Sequence, residues 1–435
     1  MGLYICNTME PISKQDRISS LDILRGVALL GILLMNVVSL SLPDPAYWDP
    51  SGHGGDTGWN LRIFFLNSLF IEGSMRAIFS MLFGAGVIMF TASKEEKGGG
   101  LEIANAWYRR TIWLILFGII HAYLLIFPGE VLFYYGVVGL FLFPARKAAP
   151  SRLVLFSLFL ILVLGMIKIN EYHHIKKISE ETVLAEEMLA GGEELTAAQY
   201  ESMNLWYYKL ASYKPDSATR ERVITSMRSG YLPAFKTMAP YVRFMQTDYF
   251  YRNGFLDALS MMLLGMALFR WRIFHGDKKY RVYGLMVLFG YGIGIPLNWH
   301  ETTTYINSQY DLITYFRVGQ TYDLGRIANA MGHIGLVMIF IRLNFLNFLK
   351  QALAAVGKMA LTNYVMHTLI LTIVFIVFKQ YGQWQRFELY YLVGLIWLFQ
   401  LMFSPLWLKF FRFGPLEWIW RRLTYGRAFS HYSLK

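Results

Sequence analysis

The fold of this chain is decided by residues 109–130, which read RRTIWLILFGIIHAYLLIFPGE. A run of about 20 predominantly apolar residues is long enough to cross the hydrocarbon core of a bilayer as a helix. His121 lies well inside the run, and Glu130 lies just past its end. Because an ionisable group in hydrocarbon costs roughly 3 kcal/mol or more, such residues are rarely kept without a partner or a task. His121 is therefore the first candidate functional residue.

The composition of the whole chain is that of a membrane protein. Hydrophobic residues make up 55% of the 435 residues and charged residues only 16%, whereas soluble domains carry about 25% charged residues. Continuous apolar runs of this kind indicate helices, since barrel strands would alternate every second residue. About ten segments are predicted to span the bilayer: 21–42, 64–91, 109–127, 131–144, 151–169, 254–270, 282–298, 326–342, 357–378 and 389–408.

The net charge of +12 is explained by membrane topology rather than by nucleic-acid binding. With ten spans and both termini on one side, most Lys and Arg residues fall in the short loops on that side. The loops opposite hold only Arg62, Arg317, Arg326, Lys379 and Arg386. Such an asymmetry follows the positive-inside rule. It predicts a multi-pass protein of the plasma (inner) membrane with both termini in the cytoplasm, and no nucleic-acid partner.

A polar stretch, residues 170–253, interrupts the apolar segments and is predicted to lie outside, since long loops are exempt from the charge rule. Leu184, Met188 and Leu195 recur there at roughly helical spacing, which favours surface helices that form a cap. The tail around Trp418 and Arg421 is typical of an amphipathic helix at the membrane interface. The predicted regions are an N-terminal five-span half (1–169), an extracytoplasmic polar cap (170–253), a C-terminal five-span half (254–410) and a cytoplasmic interfacial helix with its tail (411–435).

The predicted fold class is therefore all-α: a polytopic transmembrane helical bundle of about ten spans with a helical extracytoplasmic cap. The single cysteine, Cys6, excludes a disulfide framework and a thiolate metal cluster. The chain also lacks a nucleophile elbow, a phosphate-binding glycine loop and a His-Glu-x-x-His zinc helix. We expect no metal ion.

Five of the spans are expected to bring a polar side chain to a similar depth: Asn36, Arg76, His121, Glu130 and Asp257. His121, for example, is 11 residues beyond Arg110, or about 16 Å along a helix. A network that only locks helices together would explain such a cluster, but Ser or Thr would serve that purpose. The combination of His, Glu and Arg therefore favours a functional centre.

Three further histidines are left open as site residues. His333 shares one helical face with Arg326 and Asn329, at spacing i, i+3, i+7, and this face is either an internal polar seam or a substrate contact. His367 lies in the inner half of its span, where a hydrogen-bonded packing role is favoured. His53 lies in a glycine-rich outer loop, and a loop histidine alone is weak evidence for a site.

Five ordered motifs resemble those of YeiB-type integral membrane proteins, a family with a C-terminal domain of unknown function. They are residues 20–36, which open SLDILRG and end GILLMN, then 79–86 (FSMLFGAG), 118–130, 359–364 (MALTNY) and 414–422 (GPLEWIWRR). The resemblance extends over almost the whole chain. Two positions depart from the family pattern: Gly129-Glu130 replaces its usual Gly-Asp, and His367-Thr368 replaces its usual Gln-Ser.

The resemblance also implies a function. Through the Asp-x-x-Arg-Gly opening, here 22–26, the YeiB-type proteins are grouped with a transmembrane acyltransferase superfamily. That superfamily includes heparan-α-glucosaminide N-acetyltransferase, which moves an acetyl group from cytosolic acetyl-CoA to a lumenal sugar amine. The functional Asn of that enzyme corresponds to Asn36, whereas its functional His has only His53 as a counterpart, at a longer spacing.

Our leading hypothesis is a membrane-embedded acyltransferase with acyl-CoA as co-substrate and an extracytoplasmic small molecule or glycan as acceptor. His121, with a reference pKa of ~6.5, is the predicted base, Glu130 its partner, and Asn36 and Arg76 the groups that polarise the acyl oxygen. Arg76 is expected within reach of His121 or Glu130. A proton-coupled secondary transporter that uses the same His and Glu is the alternative, and a non-enzymatic envelope scaffold is a third. The bilayer is an expected partner, and homo-oligomerisation is left open.

Overall fold

The computed structural model describes residues 19–95 and 100–426, and every regular element in these two ranges is helical. The all-α prediction is therefore confirmed for the described part of the chain. Cys6 and the last residues of the tail, from 427 onward, lie outside the described residues.

Seventeen α-helices occur in the described ranges, in the following order along the chain. They are α1 (Ser19–Ser41), α2 (Gly58–Phe70), α3 (Ser74–Glu95), α4 (Leu101–Leu124), α5 (Leu132–Leu142), α6 (Pro150–Ala190), α7 (Ala197–Tyr213), α8 (Ser217–Arg228), α9 (Tyr231–Phe244), α10 (Phe255–Arg270), α11 (Tyr280–Asn307), α12 (Leu312–Val318), α13 (Tyr322–Arg342), α14 (Asn347–Lys358), α15 (Ala360–Thr372), α16 (Arg386–Phe410) and α17 (Pro415–Tyr425). A π-helical turn, Met245–Gly254, joins α9 to α10, and another, Ile373–Val377, follows α15.

Seven helical segments are long and apolar enough to cross a membrane, and they coincide with seven of the predicted spans. They are Ser19–Ser41, Gly58–Ala92, Pro150–Ala190, Tyr280–Asn307, Tyr322–Arg342, Ala360–Val377 and Arg386–Phe410. The other three predicted spans, 109–127, 131–144 and 254–270, fold as α4, α5 and α10. They do not qualify by length and composition: α5 has only 11 residues and α10 only 16, while α4 carries Arg109 and Arg110.

The predicted boundary between residues 169 and 170 falls inside one continuous helix, α6, which has 41 residues. At 1.5 Å per residue this helix is about 60 Å long, roughly twice the hydrocarbon thickness of a bilayer. Ion pairs one turn apart support its polar second half, Lys176–Glu180 and Lys177–Glu181, each at 3.6 Å. The rest of the polar stretch is also helical, as predicted, and forms α7, α8, α9 and a π-helical turn.

Contacts between the ends of helices identify the two ends of the bundle. At one end, Gly382 N donates to Ser41 O at 2.7 Å, and Arg228 of α8 donates to Tyr381 O at 2.6 Å. We call it the cap end, because α8 belongs to the polar stretch 170–253. At the other, Ser20 Oγ donates to Phe274 O at 2.6 Å. We call this second end the basic end, after the residues that gather there: Arg25, Arg109, Arg110, Arg146 and Arg270.

Helices α3 and α10 touch backbone to backbone and both run from the cap end to the basic end. A Cβ added at Gly84 would lie 1.9 Å from Met262 O, and one added at Gly265 would lie 1.9 Å from Met81 O. Only glycine allows this approach at both positions. The contact sets the lateral position of the polar residues two turns earlier on each helix, Arg76 and Asp257.

Candidate functional site

His121 and Glu130 meet at a chain reversal between α4 and α5. Helix α4 ends at Leu124, and the following residues, which include Pro128, turn the chain back before α5 begins at Leu132. His121 Nδ1 lies 3.4 Å from Glu130 Oε1, and both side chains are almost completely buried. The structure thus brings together the two residues that sequence reasoning paired across Pro128.

Glu130 also caps the first turn of α5. Leu132 N donates to Oε1 at 2.5 Å and Phe133 N to Oε2 at 2.8 Å. The first N–H groups of a helix have no partner within the helix, and a carboxylate is favoured there by the helix dipole. The carboxylate facing His121 is therefore held by two backbone donors.

Gly118 makes room for this arrangement on the facing surface of α4. A Cβ at this position would lie 2.2 Å from Phe133 N and 2.7 Å from Glu130 Oε2. The start of α5 thus packs directly on the α4 backbone, one turn before His121.

The second ring nitrogen of His121, Nε2, is buried and has no hydrogen-bond partner among the described residues. When Nδ1 donates its hydrogen to Glu130, the lone pair on Nε2 is the one available to accept a proton. A buried polar atom without a partner costs about 1–3 kcal/mol, so each such atom requires an explanation. A role of this nitrogen in proton transfer would be such an explanation.

Tyr364 of α15 completes the surroundings of His121, with the two ring centroids 5.2 Å apart. Its hydroxyl accepts a hydrogen bond from Val131 N at 3.3 Å, so Tyr364 touches both the base and the start of α5. Phe127 packs edge-on against the imidazole. The sequence analysis included Tyr364 in the motif 359–364 but not among the site residues. The Asn-Tyr pair inside a predicted span was a signal that could have indicated it.

Arg76 and Asp257 belong to a second polar cluster. Arg76 Nη2 lies 3.6 Å from Asp257 Oδ2 and 3.5 Å from the Tyr322 hydroxyl. Arg326, which is 1% exposed, bonds to Asp257 and, at 2.8 Å, to Asp323. The contacts of Arg76 are therefore with α10 and α13 rather than with His121 or Glu130, the expected partners.

Further charged and hydroxyl groups extend this second cluster toward the cap end. Lys168 of α6 bonds to Asp323 at 2.8 Å. Glu72 accepts hydrogen bonds from Tyr47 at 2.7 Å and from Tyr322 at 3.0 Å. Cations and carboxylates thus alternate from α6 to the start of α3.

One hydrogen bond connects the helices of the two clusters. Ser80, one turn after Arg76 on α3, lies 2.7 Å from the hydroxyl of Tyr135 on α5. Tyr135 in turn lies one turn into the helix that Glu130 caps. The two clusters consequently flank the first turns of α5.

Asn36, the remaining predicted site residue, joins neither cluster. It is half-buried on α1, and its side chain makes no hydrogen bond with another described residue. Two residues earlier on α1, Leu34 O accepts a hydrogen bond from the Tyr390 hydroxyl at 2.9 Å.

His333 is a satisfied packing residue. Its Nδ1 lies 2.7 Å from the Tyr291 hydroxyl, and its Nε2 lies 2.7 Å from Phe70 O. Asn329, on the same face, donates to Leu69 O at 2.6 Å. Both side chains bond carbonyls at the end of α2, where the helix stops and its last carbonyls lack partners. These contacts favour the polar-seam interpretation over a substrate contact.

The other two open histidines lie elsewhere. His367 Nε2 lies 2.7 Å from Gln400 Oε1, between α15 and α16. His53 Nε2 lies 2.9 Å from Gly382 O at the cap end, and burial lowers the pKa of its imidazole. Within residues 19–95 and 100–426, no group of three or more His, Cys, Asp or Glu side chains is arranged to hold a metal ion.

Comparison with known proteins supports the YeiB-type resemblance. Residues 268–427 match a family described as "Protein of unknown function (DUF418)". The chain is 29% identical over 432 residues to "Uncharacterized protein YeiB" of Escherichia coli (strain K12), covering 95% of this chain and 97% of that protein. It is 27% identical over 433 residues to "Uncharacterized protein YxaH" of Bacillus subtilis (strain 168), covering 96% and 97%. No solved structure matches.

Proposed function

We propose that this protein is a membrane-embedded acyltransferase, which moves an acyl group from a cytoplasmic acyl-CoA to an extracytoplasmic small molecule or glycan. One observation carries the proposal. His121 Nδ1 faces Glu130 Oε1 at 3.4 Å, while the buried Nε2 has no partner among the described residues. That arrangement is suited to a general base whose orientation is set by a carboxylate.

In the proposed reaction, His121 Nε2 takes the proton from the acceptor hydroxyl or amine as the acceptor attacks the thioester carbonyl. The new C–O or C–N bond forms, the C–S bond breaks, and the sulfur of coenzyme A leaves and takes up the proton from His121, which restores the neutral base. Glu130 stabilises the imidazolium that forms in between. Its two backbone donors, Leu132 N and Phe133 N, keep the carboxylate in place during the transfer.

Arg76 and Asn36 remain the proposed polarising groups for the acyl oxygen. Arg76 Nε is buried and has no described hydrogen-bond partner, so one donor of this guanidinium is available to an oxyanion. Asn36 likewise keeps its side-chain amide uncommitted. The Ser80–Tyr135 contact supports a route from the Arg76 cluster to the His121 side of α5.

The proposed topology has ten spans, both termini in the cytoplasm of a plasma-membrane protein, and residues 170–253 as an extracytoplasmic cap. The gathering of arginines at the basic end supports this orientation through the positive-inside rule. Helices α4, α5 and α10, packed among the seven apolar segments, would supply the remaining spans. Labelling of introduced cysteines from each side should find residues 170–250 outside and 270–281 inside, and the reverse pattern would overturn the orientation.

The test of the activity is thiol release from acyl-CoA by the purified, detergent-solubilised protein. His121→Gln keeps an amide that can hydrogen-bond but removes the base, and should lower the rate by about 10²–10⁴-fold. His333→Gln is the matched control, because both ring nitrogens of this half-buried histidine already bond to Tyr291 and Phe70. Full activity and normal melting of His121→Gln would overturn the assignment.

A proton-coupled secondary transporter is the second candidate, favoured by the chain of charges that includes Lys168, Asp323 and Arg326. Ionisable residues inside membranes often mark ion or proton pathways. Proton-coupled solute uptake into liposomes without any thiol release from acyl-CoA would favour this candidate over the acyltransferase.

A further inference from the structure

Two arginines that the structure describes are almost completely buried, and their surroundings differ. Arg326 and Arg386 are each 1% exposed. Arg326 pairs with Asp257 and Asp323. Arg386, at the cap end, forms no ion pair with a carboxylate of the described residues. Because taking a charge out of water is costly unless the charge is paired, the buried charge of Arg386 requires an explanation.

The contacts of the Arg386 guanidinium leave some of its donors unused. Nη2 donates to Ala46 O in the turn Asp44–Tyr47, and the guanidinium carbon lies 5.4 Å from the centre of the Phe64 ring. Nε is enclosed and has no hydrogen-bond partner among the described residues. A guanidinium has five N–H donors and no acceptor, so Nε needs an acceptor that these residues do not supply.

The acidic residues around Arg386 do not balance its charge. Neither Asp49 nor Asp56 forms an ion pair with Arg386, and Asp49 Oδ2 lies 3.7 Å from Lys214 Nζ, which balances the charge of Asp49. Glu388 is two residues beyond Arg386 on α16, where side chains do not face each other, and its carboxylate caps the start of that helix. One positive charge is therefore left over.

The position of Arg386 in the chain adds to this excess. Arg386 is the first residue of α16, and the N-terminus of a helix disfavours cations and favours anions. The first backbone donors of the helix are already used, since Arg386 N donates to Gly54 O at 2.9 Å and Phe387 N to Asn60 Oδ1 at 3.0 Å. The guanidinium, and not the helix start, is therefore the group available to an anion.

We propose that Arg386 binds a single halide ion, such as chloride, at the Nε edge of its guanidinium. An N–H group of a cation forms a short, charge-assisted hydrogen bond to an anion. Close packing favours a monatomic anion over a phosphate: a Cβ added at Gly54, whose carbonyl accepts from Arg386 N, would lie 2.7 Å from Leu42 Cδ1. The ion would stabilise the junction between α16, α2 and the turn Asp44–Tyr47. This site does not depend on the proposed acyl transfer.

The experiment measures thermal unfolding of the full-length protein in detergent with sodium chloride, bromide, formate or gluconate at equal ionic strength. A ligand that binds only the folded state raises the unfolding temperature as its concentration rises. Chloride and bromide should raise the unfolding temperature of the wild type by about 1–3 °C over gluconate. Arg386→Gln should remove this difference. Arg62→Gln is the matched control, because Arg62 is an exposed arginine of α2 that stacks on Trp59, and it should keep the full difference.

A second measurement needs no variant. The wild-type protein should broaden the chloride NMR line, and added bromide should reverse the broadening by competition. This titration decides the question if Arg386→Gln does not fold. Equal unfolding temperatures of the wild type in chloride and gluconate, a chloride effect that persists in Arg386→Gln or disappears in Arg62→Gln, or a chloride line without protein-dependent broadening would each overturn the site. Stabilisation by formate and by neither halide would overturn the choice of a halide.

Discussion

Replacing Gly118 with alanine tests the contact between His121 and Glu130 while leaving both side chains in place. The added Cβ would lie 2.2 Å from Phe133 N and 2.7 Å from Glu130 Oε2, and Cβ contacts under 3.0 Å are essentially never found. The start of α5 must therefore move away from α4 by about 1 Å, which is roughly the overlap between the added Cβ and Phe133 N. Glu130 moves with it, because its carboxylate is bonded to that first turn.

The size of the effect follows from this displacement. The His121–Glu130 distance, already 3.4 Å, would exceed hydrogen-bond range, and a misplacement of about 1 Å near a reacting group can cost roughly 10²-fold in rate. Overpacking typically costs about 1–3 kcal/mol of stability. Alanine returns up to about 1 kcal/mol relative to glycine inside a helix, so the net loss of unfolding free energy should be near 1–2 kcal/mol.

Thiol release from acyl-CoA and thermal unfolding in detergent measure the two effects separately. Gly86→Ala on α3 is the matched control, because a Cβ there meets nothing within 4 Å. That variant should be as active as the wild type and no less stable. If Gly118→Ala retained wild-type turnover, Glu130 would not need to be held against His121, and its role as the partner of the base would be refuted.

Three further changes test polar contacts elsewhere. Burial raises the pKa of Asp44 to about 7; because the folded state then favours the protonated form, the stability from this group is complete below about pH 4 and is lost as the pH rises toward 7. Asp44→Asn should remove that decline in unfolding temperature, and identical pH profiles for both proteins would contradict this. Asp257→Asn removes a counter-charge of the buried Arg326 and should lower the free energy of unfolding by about 3 kcal/mol in chemical denaturation. Glu417→Ala leaves two N–H groups of α15 without an acceptor and should cost about 1–3 kcal/mol in the same assay, whereas Glu417→Gln, which keeps an acceptor oxygen, should cost less.

Composition and apolar run length were sufficient to predict the helical class and most of the segments that could span. The length of the apolar run was least informative for the short helices α5 and α10. Their residues are apolar because these helices are buried among other helices. The pairing of His121 with Glu130 was also predictable, since a carboxylate nine residues beyond a buried imidazole and past a proline lies where the chain can turn back. The second role of Glu130, as the cap of α5, was not proposed, although an acidic residue just before an apolar run is a signal for it.

The partner of Arg76 could not be derived from the sequence, for a geometrical reason. Counting residues at 1.5 Å each gives the depth of a side chain along a helix, but not the direction in which it points from the helix axis. That direction was fixed by the backbone contact at Gly84 and Gly265, which turns Arg76 toward Asp257. Residues that are predicted to lie at one depth can therefore belong to two clusters, as Arg76 and His121 do.

The tail helix is attached to two of the helices that surround the candidate site. From sequence, α17 was an interfacial anchor, but its contacts with Arg110 and with the start of α15 attach it to the helices that carry His121 and Tyr364. Arg110 and His121 are 11 residues apart on α4, which is close to three full turns and about 16 Å. They therefore project from nearly the same face of one helix. If the acyl donor enters from the basic end, as proposed, it would have to extend about this distance along α4 to bring its acyl group to the proposed base.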